Sequence, residues 1–235
     1  MYYRELCSMC PALEALGFQI PAELDGHFTL QSFAPHQLIH QKDTPLVVVG
    51  ILLSGSFRVF NELENGNLFM IEINEPIAFT GEVALLSGRW ITSVTLETIT
   101  ACRIAFLPVE CFDNWLRADI RLLRYVSEGI ANKLYRTSYH SGERMFYSTK
   151  YVLLDYILNE YRKSGMQEFV VKKTRQQMCE EIGLSVNSIN RLLNSFRQEG
   201  LIAMNHGKIA MGPAQRSAAQ AALRVYRAQN RNGMK

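Results

Sequence analysis

The segment TGEVALLSGRWITS, residues 80–93, has the residue types of a loop that holds an anion. Its Gly81-Glu82 pair is followed by the small residue Ala84 and two leucines, which together form a plausible cradle. An arginine that could grip a phosphate is expected a few residues further on, but Thr92 occupies that position. The segment raises the question of whether the chain binds a nucleotide, another ligand or none.

The cysteines form a second set of residues that could do chemistry. There are five, and an odd number argues against a disulfide scaffold and leaves metal binding, redox sensing or packing. Cys7 and Cys10 have a CxxC spacing that suits metal or redox chemistry. Cys102 alone is more typical of a strand core, and Cys111 and Cys179 of helix packing.

The segment TRQQMCEEIGLSVNSINRLLNSFRQEGLI predicts two short helices that cross at a steep angle. Met178 and Ile182 lie four residues apart on the first helix, and Gly183 ends it. Ile189 and Leu192 fall on the inner face of the second helix. This pattern is typical of a helix-turn-helix, although a helical hairpin that merely packs has the same outline.

The second of these helices has an outer face that suits a DNA groove. Ser185 is a natural N-cap for it. The residues expected to point outward are Val186, Asn187, Ser188, Asn190 and Arg191. Arginine can bond guanine bidentately, asparagine can read adenine and an apolar group can touch a thymine methyl. The next segment, GLIAMNHGKIAMGP, predicts two short strands around a turn at His206-Gly207-Lys208, which is a wing whose tip could reach phosphate.

Short strands must position the anion loop. From Phe28 to Leu107 the apolar runs LVVVGILL, SFRVFNEL, LFMIEI, TSVTLETI and CRIAFLP are separated by turn signals at Ser54-Gly55 and at residues 64–67. Strands this short and regular predict an antiparallel jelly roll. With the helices that follow, the predicted fold class is α+β.

A long amphipathic helix follows Pro108. Its apolar stripe consists of Leu116, Ile120, Leu123, Ile130 and Leu134. The stripe could pack on its own domain, but the helix joins two domains and its opposite face is charged, which favours a homodimer seam at least equally. A further helix is predicted from Phe146 to Tyr161, with a stop at Gly165.

The charge is divided unevenly along the chain. Residues 1–145 carry 11 Lys/Arg and 16 Asp/Glu, or −5, whereas residues 146–235 carry 14 and 6, or +8. A basic segment of this size indicates a polyanion partner or a solvated basic surface. No apolar run is long enough to span a membrane and no signal peptide is visible, so we expect a cytoplasmic protein without a membrane partner.

Together these features resemble the CRP/FNR family of bacterial transcription regulators over nearly the whole chain. The resemblance implies a sensor roll over residues 1–108, a linker and dimerisation helix over 109–145, and a winged helix-turn-helix with a tail helix over 146–235. It also implies a homodimer on a palindromic double-stranded DNA site, and RNA polymerase as a partner if the protein activates transcription. Arg191 matches the family's guanine-contacting arginine, and Asn187 replaces a common acidic residue. Thr174, Arg175 and His206 match phosphate contacts, and Lys208 belongs to the wing tip.

The same resemblance implies an effector site in the roll. Gly81, Glu82, Val83 and Ala84 match the loop that meets a cyclic nucleotide, and Ser93 matches its hydroxyl position. The arginine position is Thr92, and losing a charge-assisted bidentate contact costs on the order of a few kcal/mol. Arg89 could swing in, but an arginine beside Gly88 more often faces solvent. We therefore expect an unknown small-molecule effector rather than cyclic AMP, with a rewired nucleotide pocket as the alternative.

The oxygen-sensing branch of the family suggests another alternative. That branch holds an iron–sulfur cluster, and Cys7, Cys10 and Cys102 match some of its ligand positions, but its third N-terminal cysteine is missing here. A cluster with another ligand, or a Cys7–Cys10 disulfide, stays open, and otherwise no cofactor is expected. A cupin-like enzyme is the remaining rival, but the chain lacks a His-x-His group in a strand, and no catalytic residues are predicted.

Overall fold

The computed structural model describes residues 1–62 and 68–232, without the side chains of residues 136, 139–146 and 229–232. The turn predicted at residues 64–67 lies outside the described residues. The chain divides into two compact units, Met1–Tyr135 and Arg136–Lys235. Among the described residues, no helix is long and apolar enough to cross a membrane.

The first unit is built around two four-stranded antiparallel sheets. Its strands are β1 (Thr29–Phe33), β2 (Leu38–His40), β3 (Val48–Ser54), β4 (Phe57–Glu62), β5 (Leu68–Asn74), β6 (Ala78–Thr80), β7 (Thr95–Thr98) and β8 (Cys102–Pro108). One sheet has the order β1-β8-β3-β6 and the other β2-β7-β4-β5. Apolar side chains of β3 and β8 are buried in the core. The predicted α+β class and antiparallel roll are confirmed.

The described part of this unit also contains four helices and most of a fifth, which continues past the unit boundary. They are α1 (Tyr3–Met9), α2 (Pro11–Ala15), α3 (Glu82–Leu86), α4 (Val109–Ala118) and α5 (Ile120–Phe146). The first two were not predicted. Their buried residues, such as Leu6 and Leu13, join Trp115 of α4 in the largest core cluster.

The predicted long helix is present as α5, but its predicted apolar stripe is wrong at Leu116, because Asp119 separates α4 from α5. Asp119 has extended backbone angles (φ −117°, ψ 102°). Its carboxylate accepts hydrogen bonds from the backbone N–H of Gln19 at 2.6 Å and of Arg121 at 2.9 Å. It thus satisfies a free N–H at the start of α5. Leu116, predicted on the same stripe as Leu134, is buried in α4 instead.

Helix α5 packs on the roll with one face and exposes another. Leu122 and Val126, which the predicted stripe omitted, are buried in the core. Ile120, Leu134 and Tyr135 are 73%, 66% and 75% exposed. One apolar face of the helix is therefore used within the unit and a second is exposed, and the homodimer seam stays a prediction.

The second unit combines helices with a three-stranded antiparallel sheet. It contains α6 (Thr149–Ser164), β9 (Phe169–Val170), α7 (Arg175–Ile182), α8 (Val186–Gln198), β10 (Ala203–Asn205), β11 (Lys208–Met211) and α9 (Pro213–Asn232). The sheet order is β10-β11-β9, with antiparallel pairs. Helix α6 begins three residues later than predicted, because Ser148 caps it by accepting from the N–H of Tyr151. The predicted stop at Gly165 is confirmed.

Candidate nucleic-acid interface and sensor pocket

Local capping sets the ends of helices α7 and α8. Thr174 and Gln177 form a capping box at the start of α7. Gly183 ends α7 with φ at +67°, in the left-handed region that glycine adopts without strain. Ser185 accepts a hydrogen bond from the N–H of Ser188 and starts α8 at Val186. The two helices are therefore joined by a turn of three residues, as a helix-turn-helix requires.

The crossing of α7 and α8 is held by buried apolar side chains. Met178 and Ile189 are fully buried, and Ile182 and Leu192 are 6% exposed. Cys179 of α7 is also buried in this cluster. These are the inner positions predicted from the sequence.

The outer face of α8 presents polar side chains to solvent. Asn187, Asn190 and Arg191 are exposed, whereas Val186 and Ser188 are only partly so. The Ser188 hydroxyl oxygen accepts from the Ser185 hydroxyl at 2.9 Å. Asn194, which the sequence analysis did not select, is exposed one turn further along the same face. Helical spacing from Asn187, Asn190 and Arg191 could have identified it.

The wing is a hairpin with a two-residue turn. His206 and Gly207 both have positive φ, 46° and 77°, as a primed turn requires. Lys208 lies opposite Asn205 as the first residue of β11, and the tip is exposed. Arg175 donates from Nη2 to the carbonyl of Gly207 at 3.1 Å. The start of α7 is thereby fixed to the wing tip, with the predicted phosphate contacts on one stretch of surface.

The roll contains a cleft of about 450 Å³, open mouth included, beside the Gly-Glu loop. It is lined by His40, Phe57, Val59, Glu72, Phe79, Gly81, Glu82, Val83, Ala84, Thr92, Ser93, Val94, Leu96 and Lys133. Six of the seven predicted effector residues are in this set, and Arg89 is not. Arg89 lies exposed in the turn after α3.

Gly81 is required where it stands. Its φ is +88°, and a Cβ there would lie 2.6 Å from Cδ1 of Leu46. Glu82 follows as the first residue of α3 and is 6% exposed. The geometry of the loop therefore buries a carboxylate inside the cleft.

The buried carboxylate is paired with a lysine from α5. Nζ of Lys133 lies 2.9 Å from Oε1 of Glu82 and 2.8 Å from Oε1 of Glu72 on β5. Burial raises the pKa of Glu82, and Lys133 offsets part of that rise. Burial opposes the charge on Lys133, but the two carboxylates outweigh it and raise its pKa. We refer to Glu72, Lys133 and Glu82 as the ion bridge.

Thr92 has a structural role in place of the expected arginine. It is 4% exposed, and its hydroxyl donates to the carbonyl of Gln41. The backbone N–H groups of Thr44 and Asp43 donate to the Thr92 hydroxyl and carbonyl. Thr92 therefore fixes the turn at residues 41–44, while Ser93 is exposed at the cleft.

His40 is a pocket residue that the sequence analysis did not select. Its Nε2 lies 3.0 Å from Oγ1 of Thr80, and its ring packs edge-on to Phe106. Burial lowers its pKa to about 4. His40 is therefore neutral at pH 7, and the other titratable side chains that line the cleft are the carboxyl groups of Glu72 and Glu82 and the ammonium of Lys133. No sequence pattern indicated His40, Glu72 or Lys133, because packing of distant segments brings them together.

Comparison with known proteins assigns both units. A model of the cyclic nucleotide-binding domain matches residues 30–119, and a model of the Crp-like helix-turn-helix domain matches residues 151–211. The chain belongs to the CRP/FNR family of transcription regulators. The family consists of regulators rather than enzymes, and the helix-turn-helix is a DNA-binding domain.

Characterised relatives in the CRP/FNR family include the cAMP-activated global transcriptional regulators CRP of Pasteurella multocida and Salmonella typhimurium. The first is 24% identical over 77% of this chain and 92% of its own length. The second is 26% identical over 73% of this chain and 82% of its own length.

Solved structures share the fold. The c-di-GMP responsive regulator CLP of Xanthomonas campestris has a TM-score of 0.69 at 16% identity, covering 79% of this chain and 94% of that one. A CRP/FNR-family regulator from Eubacterium rectale has a TM-score of 0.66 at 20% identity, covering 84% and 90%.

In this CRP/FNR-family chain, Cys102 lies apart from Cys7 and Cys10. Cys7 and Cys10 are buried in the core cluster of α1, α2 and α4, and Cys102 is buried in another cluster. Burial raises the pKa of the Cys7 and Cys102 thiols, which disfavours the reactive thiolate. Within the described part of the chain, no group of three or more His, Cys, Asp or Glu could hold a metal.

Proposed function

We propose that this protein is a homodimeric regulator that binds a palindromic DNA site and responds to a signal received by the roll. The observation that carries the proposal is the exposed row of Asn187, Asn190 and Arg191 on a helix capped and packed as a recognition helix. In a major groove, Arg191 would bond guanine and an asparagine would bond adenine.

The phosphate contacts follow from the surface around the wing. Thr174, His206 and Lys208 are exposed, and Arg175 lies beside them through its bond to Gly207. Cationic and N–H groups in such a row fix the register of a protein on DNA without reading its sequence. The charge of +8 on residues 146–235 supports this role, because neutralising phosphates releases counterions.

The homodimer is supported by the uncovered face of α5. Ile120, Leu134 and Tyr135 are large apolar or aromatic side chains that remain more than 60% exposed along this helix. A second copy of α5 would bury them as in a coiled coil. A two-fold pair of recognition helices reads a two-fold DNA site.

The effector is proposed to be a small molecule other than cyclic AMP. A cyclic phosphate would enter a cleft lined by two carboxyl groups, those of Glu72 and Glu82, and one ammonium group, that of Lys133. The cation that could meet it, Lys133, already serves two buried carboxylates. Thr92 offers no free donor, because its hydroxyl donates to the turn at residues 41–44.

Replacing Arg191 by alanine tests the DNA-reading proposal. We expect specific affinity for a site selected from random DNA to fall by about 1–3 kcal/mol, with relaxed preference at one guanine, as measured by fluorescence anisotropy. Arg117→Ala, which removes an exposed arginine of α4 in the first unit, is the matched control and should bind normally. Unchanged specific binding by Arg191→Ala would refute the assignment of α8 as the recognition helix.

A further inference from the structure

We propose that Lys133 is a positioning residue that links α5 to the Gly-Glu loop through the ion bridge, where a pocket ligand would otherwise make that link. The bridge sustains specific DNA binding in the absence of the proposed effector, which therefore modulates binding rather than enabling it. This inference rests on the proposed function, since its readout is DNA binding. It concerns a residue outside the predicted effector set.

The first step is geometric. The cleft is lined by the Gly-Glu loop on one side and by Lys133 of α5 on another. A ligand in the cleft would therefore touch both. The Lys133 ammonium already spans that distance, at 2.9 Å from Glu82 and 2.8 Å from Glu72. One protein side chain thus joins three elements, α5, α3 and β5.

The second step is electrostatic. Glu82 and Glu72 have side chains only 8% and 14% exposed, and Lys133 is 26% exposed. Removal of one partner from a buried ion pair is costly, because the remaining charge loses both water and its counterion. Among the described residues that line the cleft, Lys133 carries the positive charge. If α5 separated from the loop, the carboxylates of Glu72 and Glu82 would lose their contact with the Lys133 ammonium.

The third step concerns where along α5 the bridge lies. Val126 is fully packed in the core, and Ile130 is only partly buried. Leu134 and Tyr135, immediately after Lys133, are exposed. The bridge therefore holds α5 at the point where its side chains cease to pack against the roll. Helix α5 continues past the unit boundary to Phe146. A fixing point there holds the last part of α5 that belongs to the first unit.

The test uses the full chain freed of small molecules by denaturation and refolding and checked by native mass spectrometry. Specific and non-specific DNA affinities are measured by anisotropy for wild type, Lys133→Met and Lys133→Arg. We expect ligand-free wild type to bind its site specifically, Lys133→Met to lose about tenfold or more in specific affinity and Lys133→Arg to retain it. Added cyclic AMP should change none of these values.

A charge exchange keeps the test valid if Lys133→Met folds poorly. Lys133→Glu should bind DNA weakly, and the double variant Lys133→Glu with Glu82→Lys, which again places one ammonium between two carboxylates, should recover most of the specific affinity. A role in stability alone would lower the melting temperature but leave the affinity of the folded fraction unchanged, so both are measured.

Three results would overturn the inference: ligand-free wild type without specific binding, folded Lys133→Met with wild-type affinity, or no recovery in the double variant. Arg191→Ala separates this failure from failure of the proposed function. If Arg191→Ala abolishes specific binding while Lys133→Met does not, only the ion-bridge inference is wrong. If neither variant affects binding, the proposed function is wrong as well.

Discussion

The structural roles of some residues in this molecule depend on local chemistry, and those of others depend on tertiary contacts. Ser185 and Gly183 were predicted from neighbouring residues alone, because caps depend on hydrogen bonds within a single turn. Lys133 and Glu72 are 61 residues apart in sequence, and nothing near either indicates that they meet. Thr92 shows a third case. The absence of the expected arginine could be read from the sequence, but the buried hydrogen bonds that Thr92 makes could not.

His40 gives a prediction at this scale. Its folded pKa of about 4 lies below the ordinary value of 6.5, because burial disfavours the imidazolium. The unfolded state therefore binds the proton more tightly, and stability present above pH 6.5 is lost as the pH falls towards 4. Relative to His40→Asn, the wild type should lose roughly 2–3 kcal/mol over this range in urea unfolding.

The matched control for this measurement is His36→Asn. The His36 side chain is 79% exposed, and its backbone φ of +64° is one that asparagine tolerates. This variant retains His40 and should therefore keep the loss of stability that His40 produces between pH 6.5 and 4. Parallel profiles for wild type and His40→Asn would show that His40 does not resist protonation in the folded roll.

Helices and strands were predicted well where the spacing of apolar residues determines them, and less well where a tertiary contact determines them. Strands β3, β4, β5, β7 and β8 and the two crossing helices followed from alternation, turn residues and helical spacing, whereas no predicted run corresponds to β1, β2 or β6. The break between α4 and α5 did not, because Asp119 is held there by Gln19, a hundred residues earlier in the chain. The burial of Leu122 and Val126 likewise depends on the surface against which α5 packs.

Helix α9 gives a prediction at the scale of elements. It begins at Pro213, beyond the residues matched by the helix-turn-helix family model. Tyr226 of α9 donates to Glu199 at 2.9 Å, and Lys150 of α6 lies 3.1 Å from the same carboxylate. Glu199 follows the last residue of α8, so α9 and α6 together hold the end of the recognition helix.

Replacing Tyr226 by phenylalanine removes only the hydroxyl of this contact. The second unit should lose about 0.5–1 kcal/mol in its free energy of unfolding, because the lost hydrogen bond is partly exposed to water. Val225→Ala, at a neighbouring position whose side chain is 53% exposed, should change stability less. Equal effects of the two substitutions in chemical denaturation would argue against the proposed contact.

For the whole molecule, two independently recognisable units account for the family and the DNA-binding domain, and the sequence alone predicted both. The effector could not be predicted in the same way, because the cleft combines side chains from β2, β5, α3 and α5. Only the structure shows that Glu72, Glu82 and Lys133 line the same cleft. The uncovered face of α5 and the exposed row on α8 together lead to the central proposal of a two-fold regulator on two-fold DNA.

The most direct measurement is selection of binding sites from a random DNA pool by the wild-type protein, with Arg191→Ala selected in parallel. We expect enriched sites that are two-fold symmetric and carry a guanine at the same place in each half-site. In the Arg191→Ala selection, that guanine should lose its enrichment while the symmetry remains. An asymmetric wild-type site, or no enrichment at all, would contradict a homodimer that reads DNA through α8.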